Sequence, residues 1–253
     1  MSEDYIVETE GLTKEFKGFV AVRDVSLKVR RGTIHALIGP NGAGKTTFFN
    51  LISKFLTASH GTIRFKGRDI TAVEPHDVAR MGMVRSFQIS AVFPHLSVLD
   101  NVRIALQRRL GLSFHFWRSE SALNVLNDRA RVLLADVGLD RYAHEAAIEL
   151  PYGRKRALEI ATTLALDPEL LLLDEPMAGM GREDIARISE LIRRVAANRT
   201  VLMVEHNLSV VADLSAMITV LARGAILAEG PYAQVSRNPQ VIEAYLGTGG
   251  GHG

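Results

Sequence analysis

The chain has 253 residues, 30 Lys+Arg against 28 Asp+Glu, and no cysteine. That length suits one large domain, or a domain with a subdomain, that needs no covalent staples, and the missing cysteines exclude disulfides, thiolate zinc sites and cysteine nucleophiles. A net charge of +2, with Arg154-Lys155-Arg156 as the longest basic run, leaves no stripe for nucleic acid, and no partner of that kind is expected.

The opening MSEDYIVETEG is acidic and polar, so no signal peptide is expected there. Tyr5–Glu8, Val25–Val29 and Ile63–Phe65 alternate or are β-branched and predict short strands. Ile34–Ile38 is an apolar run that meets Gly-Pro-Asn-Gly, as a buried strand entering a loop does, and Phe48–Phe55 predicts a helix after that loop. Residues 89–166 read as helical. Leu123, Leu126, Ala130, Leu133, Leu134 and Val137 share one face, and Gly138 supplies a stop. Ser113–Arg118 packs three aromatics into six residues, a packing corner or a docking surface.

From residue 167 strands and helices alternate. Leu170–Leu173, Val201–Val204 and Met217–Leu221 are apolar strand types, and Ala225–Ala228 follows an Arg-Gly turn. Ile185, Ile188, Leu191, Ile192 and Val195 form a helical stripe. Such alternation implies a parallel sheet covered by helices. The glycine-rich end, 248–253, predicts a flexible tail after a single domain over 1–247. No stretch reaches the roughly 18 apolar residues needed to span a bilayer.

Chemistry concentrates in two places. Gly39-Pro40-Asn41-Gly42-Ala43-Gly44-Lys45-Thr46-Thr47 matches G-x-x-x-x-G-K-[ST] between a strand and a helix. Glycines let backbone N–H groups converge on phosphate oxygens, and the helix N-terminus adds its dipole. Lys45 then faces the β- and γ-phosphates, and Thr46 offers its hydroxyl to Mg²⁺. Leu170–Leu173 runs into Asp174-Glu175-Pro176, a buried strand ending in two carboxylates. Asp174 is placed to hold Mg²⁺, and Glu175 to orient and deprotonate an attacking water.

In this order the motifs resemble the ATP-binding subunit of an ABC transporter, over about residues 5 to 247. The resemblance implies a P-loop α/β core, an N-terminal antiparallel β subdomain and a helical subdomain near 89–166. It implies an ATPase that uses ATP and Mg²⁺. Gln88, in Arg85-Ser-Phe-Gln88-Ile, matches the family's glutamine loop on the metal and permease side. His206, in Val204-Glu-His206-Asn, matches the switch histidine, and Phe16 stands where an aromatic stacks on adenine. Leu150-Pro151-Tyr152-Gly153-Arg154 stands at the signature, so Gly153 acts across a dimer. By the same resemblance the partners are transmembrane permease subunits and an identical or second ABC ATPase. A solute-binding protein is an indirect partner, and the location is peripheral, at the cytoplasmic face of the inner membrane.

The signature departs from the pattern. Pro151 stands for the family's serine and Arg154 for its glutamine, adding charge near phosphate or lying on the surface; Gly181 replaces the Asp of the turn after the carboxylates. These changes bear on communication between sites and on turnover rather than on nucleotide binding. Phe93–Val98, the insertion through Phe114–Val137, the Tyr152-Gly153 pair and the ending Asn238–Gly247 are similar to the ATPases of branched-chain amino-acid importers. A lipopolysaccharide-type exporter ATPase, or a soluble nucleotide-dependent switch of low turnover, is the alternative.

Overall fold

The computed structural model describes residues 4–86, 92–109 and 120–246. In chain order the elements are β1 (Tyr5–Phe16), β2 (Phe19–Val25), β3 (Lys28–Arg30), β4 (Ile34–Ile38), α1 (Lys45–Ile52), β5 (His60–Phe65), β6 (Arg68–Asp69), α2 (Pro75–Arg80), β7 (Met83–Arg85), α3 (Val98–Arg109), α4 (Glu120–Asp136), α5 (Tyr152–Leu164), β8 (Leu170–Asp174), α6 (Arg182–Ala196), β9 (Thr200–Val204), α7 (Leu208–Leu214), β10 (Met217–Ala222), β11 (Ala225–Gly230), α8 (Tyr232–Val235) and α9 (Pro239–Leu246). They divide into two compact units. One lies within Met1–Met83, Glu169–Pro176 and Val195–Gly253, the other within Val84–Pro168 and Met177–Arg194.

The first unit contains two sheets, apart from Val84 and Arg85 of the edge strand β7. One is antiparallel, ordered β2-β1-β5-β6 with β3 also on β1; the other is ordered β11-β10-β4-β9-β8-β7. In the second sheet β10, β4, β9 and β8 pair in parallel, and β11 adds antiparallel to β10. Every residue of β4 and β9, and Leu170–Leu173 of β8, is buried. Central parallel strands are covered on both faces, so their sequences are apolar throughout instead of alternating. Phe48, Phe49, Leu51 and Ile52 of α1 complete this core with Leu37, Leu172, Leu202 and Val204.

The second unit is helical. Leu126, Ala130, Leu133, Leu134 and Val137 on α4 are buried, as their spacing predicts. It also takes in residues 177–194, which follow the two carboxylates in sequence.

Several predicted boundaries move: the strand expected over Tyr5–Glu8 runs on as β1 to Phe16, and the one expected over Ile63–Phe65 starts at His60. Val25–Val29 is not one strand: β2 stops at Val25 and β3 starts at Lys28. Thr9 draws the chain inward between them, with its hydroxyl donating to Val25 O at 3.0 Å and accepting from Leu27 N at 2.9 Å. The helix expected over Phe48–Phe55 is α1, which starts at Lys45 and ends at Ile52. Lys54 is left-handed at φ 65, which ends the helix before Phe55. Ser113–Arg118 and the tail 248–253 lie outside the described residues.

Candidate nucleotide site

In a parallel sheet, ligands gather beyond the carboxyl ends of the strands. Here β4, β9 and β8 are neighbours, in register at Leu37↔Val204 and Asp174↔Val204. Their ends deliver the glycine loop, His206 and the Asp174-Glu175 pair to one edge of the first unit.

The loop after β4 depends on missing side chains. Gly39 has φ +152, and a Cβ there would lie 2.1 Å from Leu221 O; Gly44 has φ +95, and a Cβ would lie 2.5 Å from Ala21 O. Both obstacles are backbone atoms, which cannot rotate away. Gly44 is the N-cap of α1, with no side-chain cap and no acidic residue in the first turn. The first N–H groups of that helix therefore have no intrahelical partner and face outward with the positive end of the dipole. This cradle fits a polyphosphate.

Lys45 lies within the cradle. Its Nζ donates to Gly39 O at 2.7 Å and to Pro40 O at 2.9 Å. Burial pushes its ammonium below the usual lysine range, and the Glu175 carboxylate pulls it back up. Thr46 is exposed and Thr47 half-buried in the first turn, while Asn41 and Gly42 lie open to solvent and Ala43 is buried. The donor set available to Mg²⁺, the Thr46 hydroxyl and the Asp174 carboxylate, is all oxygen. Among the described residues no group of three or more His, Cys, Asp or Glu could hold a metal. Mg²⁺ suits such a sparse set, because it keeps waters and substrate oxygens as its remaining ligands.

Glu175 is held at φ 45, a left-handed backbone unusual for a carboxylate residue, with its N–H donating to Val204 O at 2.9 Å. Strain of this kind costs on the order of 1–3 kcal/mol and collects at functional sites. His206 Nδ1 stands 4.0 Å from Glu175 Oε2, with both side chains partly open to solvent. Phe16 ends β1 and pairs with Phe19 across the hairpin. Phe16 is 42% exposed and Phe19 67%, so neither is core. The Lys14 ammonium lies 5.1 Å over the Phe16 ring.

Gly153 belongs to the second unit. It is buried in the first turn of α5, whose N-cap is Pro151 without a side-chain cap. A Cβ on Gly153 would lie 2.4 Å from Asp184 Oδ1 on α6. The Arg154 guanidinium stacks 4.2 Å from the Tyr142 ring centroid, which accounts for it within this unit. Tyr152 donates its hydroxyl to Ala178 O at 3.1 Å and accepts from Arg156 at 2.8 Å. A Cβ on Gly181 would meet nothing within 4 Å, so space does not require glycine there. Gln88 lies outside the described residues.

Two neighbours of the cradle carry no motif. Glu205 is fully buried beside His206. Tyr245 on α9 returns to the loop: burial pushes its phenol up, and a backbone hydrogen bond with Gly39 opposes that shift. The one available signal was a charged residue directly after an apolar strand, at Glu205; nothing local marks Tyr245.

The chain matches the ABC transporter family model over residues 22–178 and a branched-chain amino acid ATP-binding cassette transporter model over residues 225–250. It is 38% identical over 252 residues to the high-affinity branched-chain amino acid transport ATP-binding protein BraF of Pseudomonas aeruginosa, covering 96% of this chain and 98% of that one. Against the protein LivG of Escherichia coli, described in the same words, identity is 37% over 249 residues, with 96% and 98% covered. Among solved structures, an ATP-binding cassette of an ABC transporter in its ADP conformation superposes with a TM-score of 0.84 at 30% identity, covering 96% of this chain and 99% of that one. A nucleotide-free cassette gives 0.83, also at 30% identity, covering 95% and 98%.

Proposed function

The chain belongs to the ATP-binding subunits of ABC transporters, and from that premise we propose that it drives an importer of branched-chain or other hydrophobic amino acids. Likeness to BraF and LivG along 96% of the chain supports this reading. So does the branched-chain family match at 225–250, beyond the shared ATPase motifs. Among the described residues no helix is long and apolar enough to cross a membrane. Its likeness to importer ATPases supports work at the cytoplasmic face, peripherally, against transmembrane permease subunits and a second ATPase, identical or different. Residues 1–247 form one ATPase domain with a helical subdomain near 89–166.

The observation that carries the mechanism is the meeting of three adjacent strand ends. Gly39–Gly44, Lys45, Thr46 and Thr47 hold the phosphates of ATP, and Phe16 stacks on adenine. Thr46, Asp174 and Gln88 would hold Mg²⁺, which would supply positive charge to offset that of the phosphates. Glu175 takes a proton from water as that water's oxygen bonds to the γ-phosphorus and the bond to the β-phosphate oxygen breaks. His206 orients the γ-phosphate and the water. The Glu175 carboxylate opposes the effect of burial on the Lys45 ammonium. Gly153 serves the nucleotide of the facing protomer in an isologous pair.

Capture from native membranes with tagged Glu175→Gln protein and ATP, identified by mass spectrometry, tests the reading. A permease pair and a second ATPase are expected, with a solute-binding protein that names the solute. Export-type membrane proteins, or soluble proteins alone, would overturn it.

A further inference from the structure

Glu205 follows the last residue of β9 and is 0% exposed. A carboxyl group this deep must be matched by donors, because burying an unpaired polar group is costly. One oxygen, Oε2, accepts from His206 N at 3.1 Å and from Asn207 N at 3.2 Å. Leaving a buried acceptor unpaired costs its full desolvation penalty, so these two bonds matter more than surface ones. Two consecutive amides aimed at one atom curl the chain, so β9 cannot continue past Val204. Asn207 then caps α7, with Oδ1 accepting from Ser209 N at 3.2 Å and Val210 N at 3.4 Å. His206 is held between a buried anchor and a capped helix.

The other side of the same turn refers to the rest of the site. Val204 O accepts the Glu175 amide at 2.9 Å, and Glu205 N donates to Leu37 O at 3.3 Å. Leu37 lies on β4, two residues before the phosphate loop. The peptide between Val204 and Glu205 thus touches the strand of the loop and the backbone of Glu175, while the Glu205 side chain holds the backbone of His206.

We propose that Glu205 is the positioning residue of the switch: by gripping the amides of His206 and Asn207 it sets His206 4.0 Å from Glu175. The inference rests on the roles given above to Glu175 and His206. Lys45 and the loop are anchored elsewhere, so loss of the grip disturbs chemistry and leaves nucleotide binding in place.

The test uses the full chain carrying Glu205→Met, which fills the space without accepting a hydrogen bond, and Glu205→Gln, whose amide oxygen still accepts both N–H groups. Steady-state ATPase is read beside the His206 imidazole NMR signal of the nucleotide-free chain, identified by its loss in His206→Ala. In Glu205→Met, kcat falls by about tenfold or more with KM for ATP within about threefold, and the His206 signal moves. In Glu205→Gln, kcat returns to within about threefold of the parent and the signal to its parental position. A Met variant within about twofold of parental kcat overturns the proposal, as does a normally melting Gln variant slowed by about tenfold. If the Met variant loses its cooperative melt, Glu205→Thr, too short to reach both amides, replaces it under the same limits. A parent chain that hydrolyses no ATP sinks the roles of Glu175 and His206, whereas a His206 signal unmoved in Glu205→Met sinks the grip.

Discussion

The proposed mechanism offers two helix N-termini to phosphate, and they are built differently. At α1 the glycines are crowded by main-chain oxygens, Leu221 O at 2.1 Å from a Cβ on Gly39 and Ala21 O at 2.5 Å from one on Gly44. At α5 the crowding atom is a side chain, Asp184 Oδ1 at 2.4 Å from a Cβ on Gly153. Asp184 is itself tied to Arg187 at 3.3 Å, a partly exposed contact that yields easily. Neither helix has a side-chain N-cap or an acid in its own first turn. The first cradle is cast in backbone; the second is bounded by a carboxylate that can swing away.

The sharpest way to break this contrast is Gly39→Ala. Its Cβ has nowhere to go, and nucleotide affinity should fall on the order of 100-fold, about 2.7 kcal/mol, in a fluorescent-ATP titration. Unchanged affinity would mean that phosphates do not sit on this loop. Next in size, Glu175→Gln should lower turnover by about 100-fold or more with binding kept, giving an ATP-dependent dimer on size exclusion. A variant that stays monomeric in saturating Mg-ATP would count against the paired arrangement.

Acid separates the two regions further. His35 on β4 is buried, and burial lowers its pKa to about 4. Its Nε2 lies 2.8 Å from Thr219 Oγ1, which donates to Glu229 at 2.7 Å, so Nε2 carries the proton of the neutral ring. Between about 6.5 and about 4 the unfolded chain binds a proton that the folded chain refuses. Stability is therefore full above 6.5 and declines as pH falls, by about 3 kcal/mol at most. Glu159 on α5 has the opposite sign: burial raises its pKa against the pull of Arg156, so acid brings no such penalty there. Urea titrations followed by circular dichroism at pH 7.5 and 4.5 should show the loss, and His35→Gln should remove most of it. An equal loss in that variant would place the acid-sensitive group elsewhere.

Gly153→Ala is a smaller perturbation. Asp184 can rotate off, so the cost should stay near 1 kcal/mol, and adding Asp184→Ala should recover it. A cost that survives the second substitution would show that backbone, as at Gly39, sets this turn too. Least of all, Gly181→Asp should leave the melting free energy within about 0.5 kcal/mol. A larger loss would reveal crowding that the open space around Gly181 does not suggest.

Much of this was legible in the sequence, for a physical reason. The proposed phosphate loop is nine consecutive residues whose task falls on the backbone, so its identity is local. Leu170–Leu173 and Val201–Val204 read as buried strands because central parallel strands are apolar on both faces. What stayed hidden is long-range and carried by side chains. Nothing near Gly153 announces Asp184, 31 positions away along the chain. Nothing near His35 announces Thr219 and Glu229. Thr9, which separates β2 from β3, carries no local mark of that task. Glu205 reads as an ordinary charge after a strand until its two amides are seen to converge on one oxygen.

The order β4-β9-β8 has a consequence for synthesis of the chain. The ribosome delivers β4 first, β8 next and β9 last of the three, yet β9 lies between the other two. Until Thr200–Val204 emerges, the strand that carries the phosphate loop and the strand that carries Glu175 have no shared partner. Such non-local pairing forms late and slowly. A nascent chain thus cannot close the site around ATP until most of its length has been made, and no fragment ending before residue 200 should hydrolyse it.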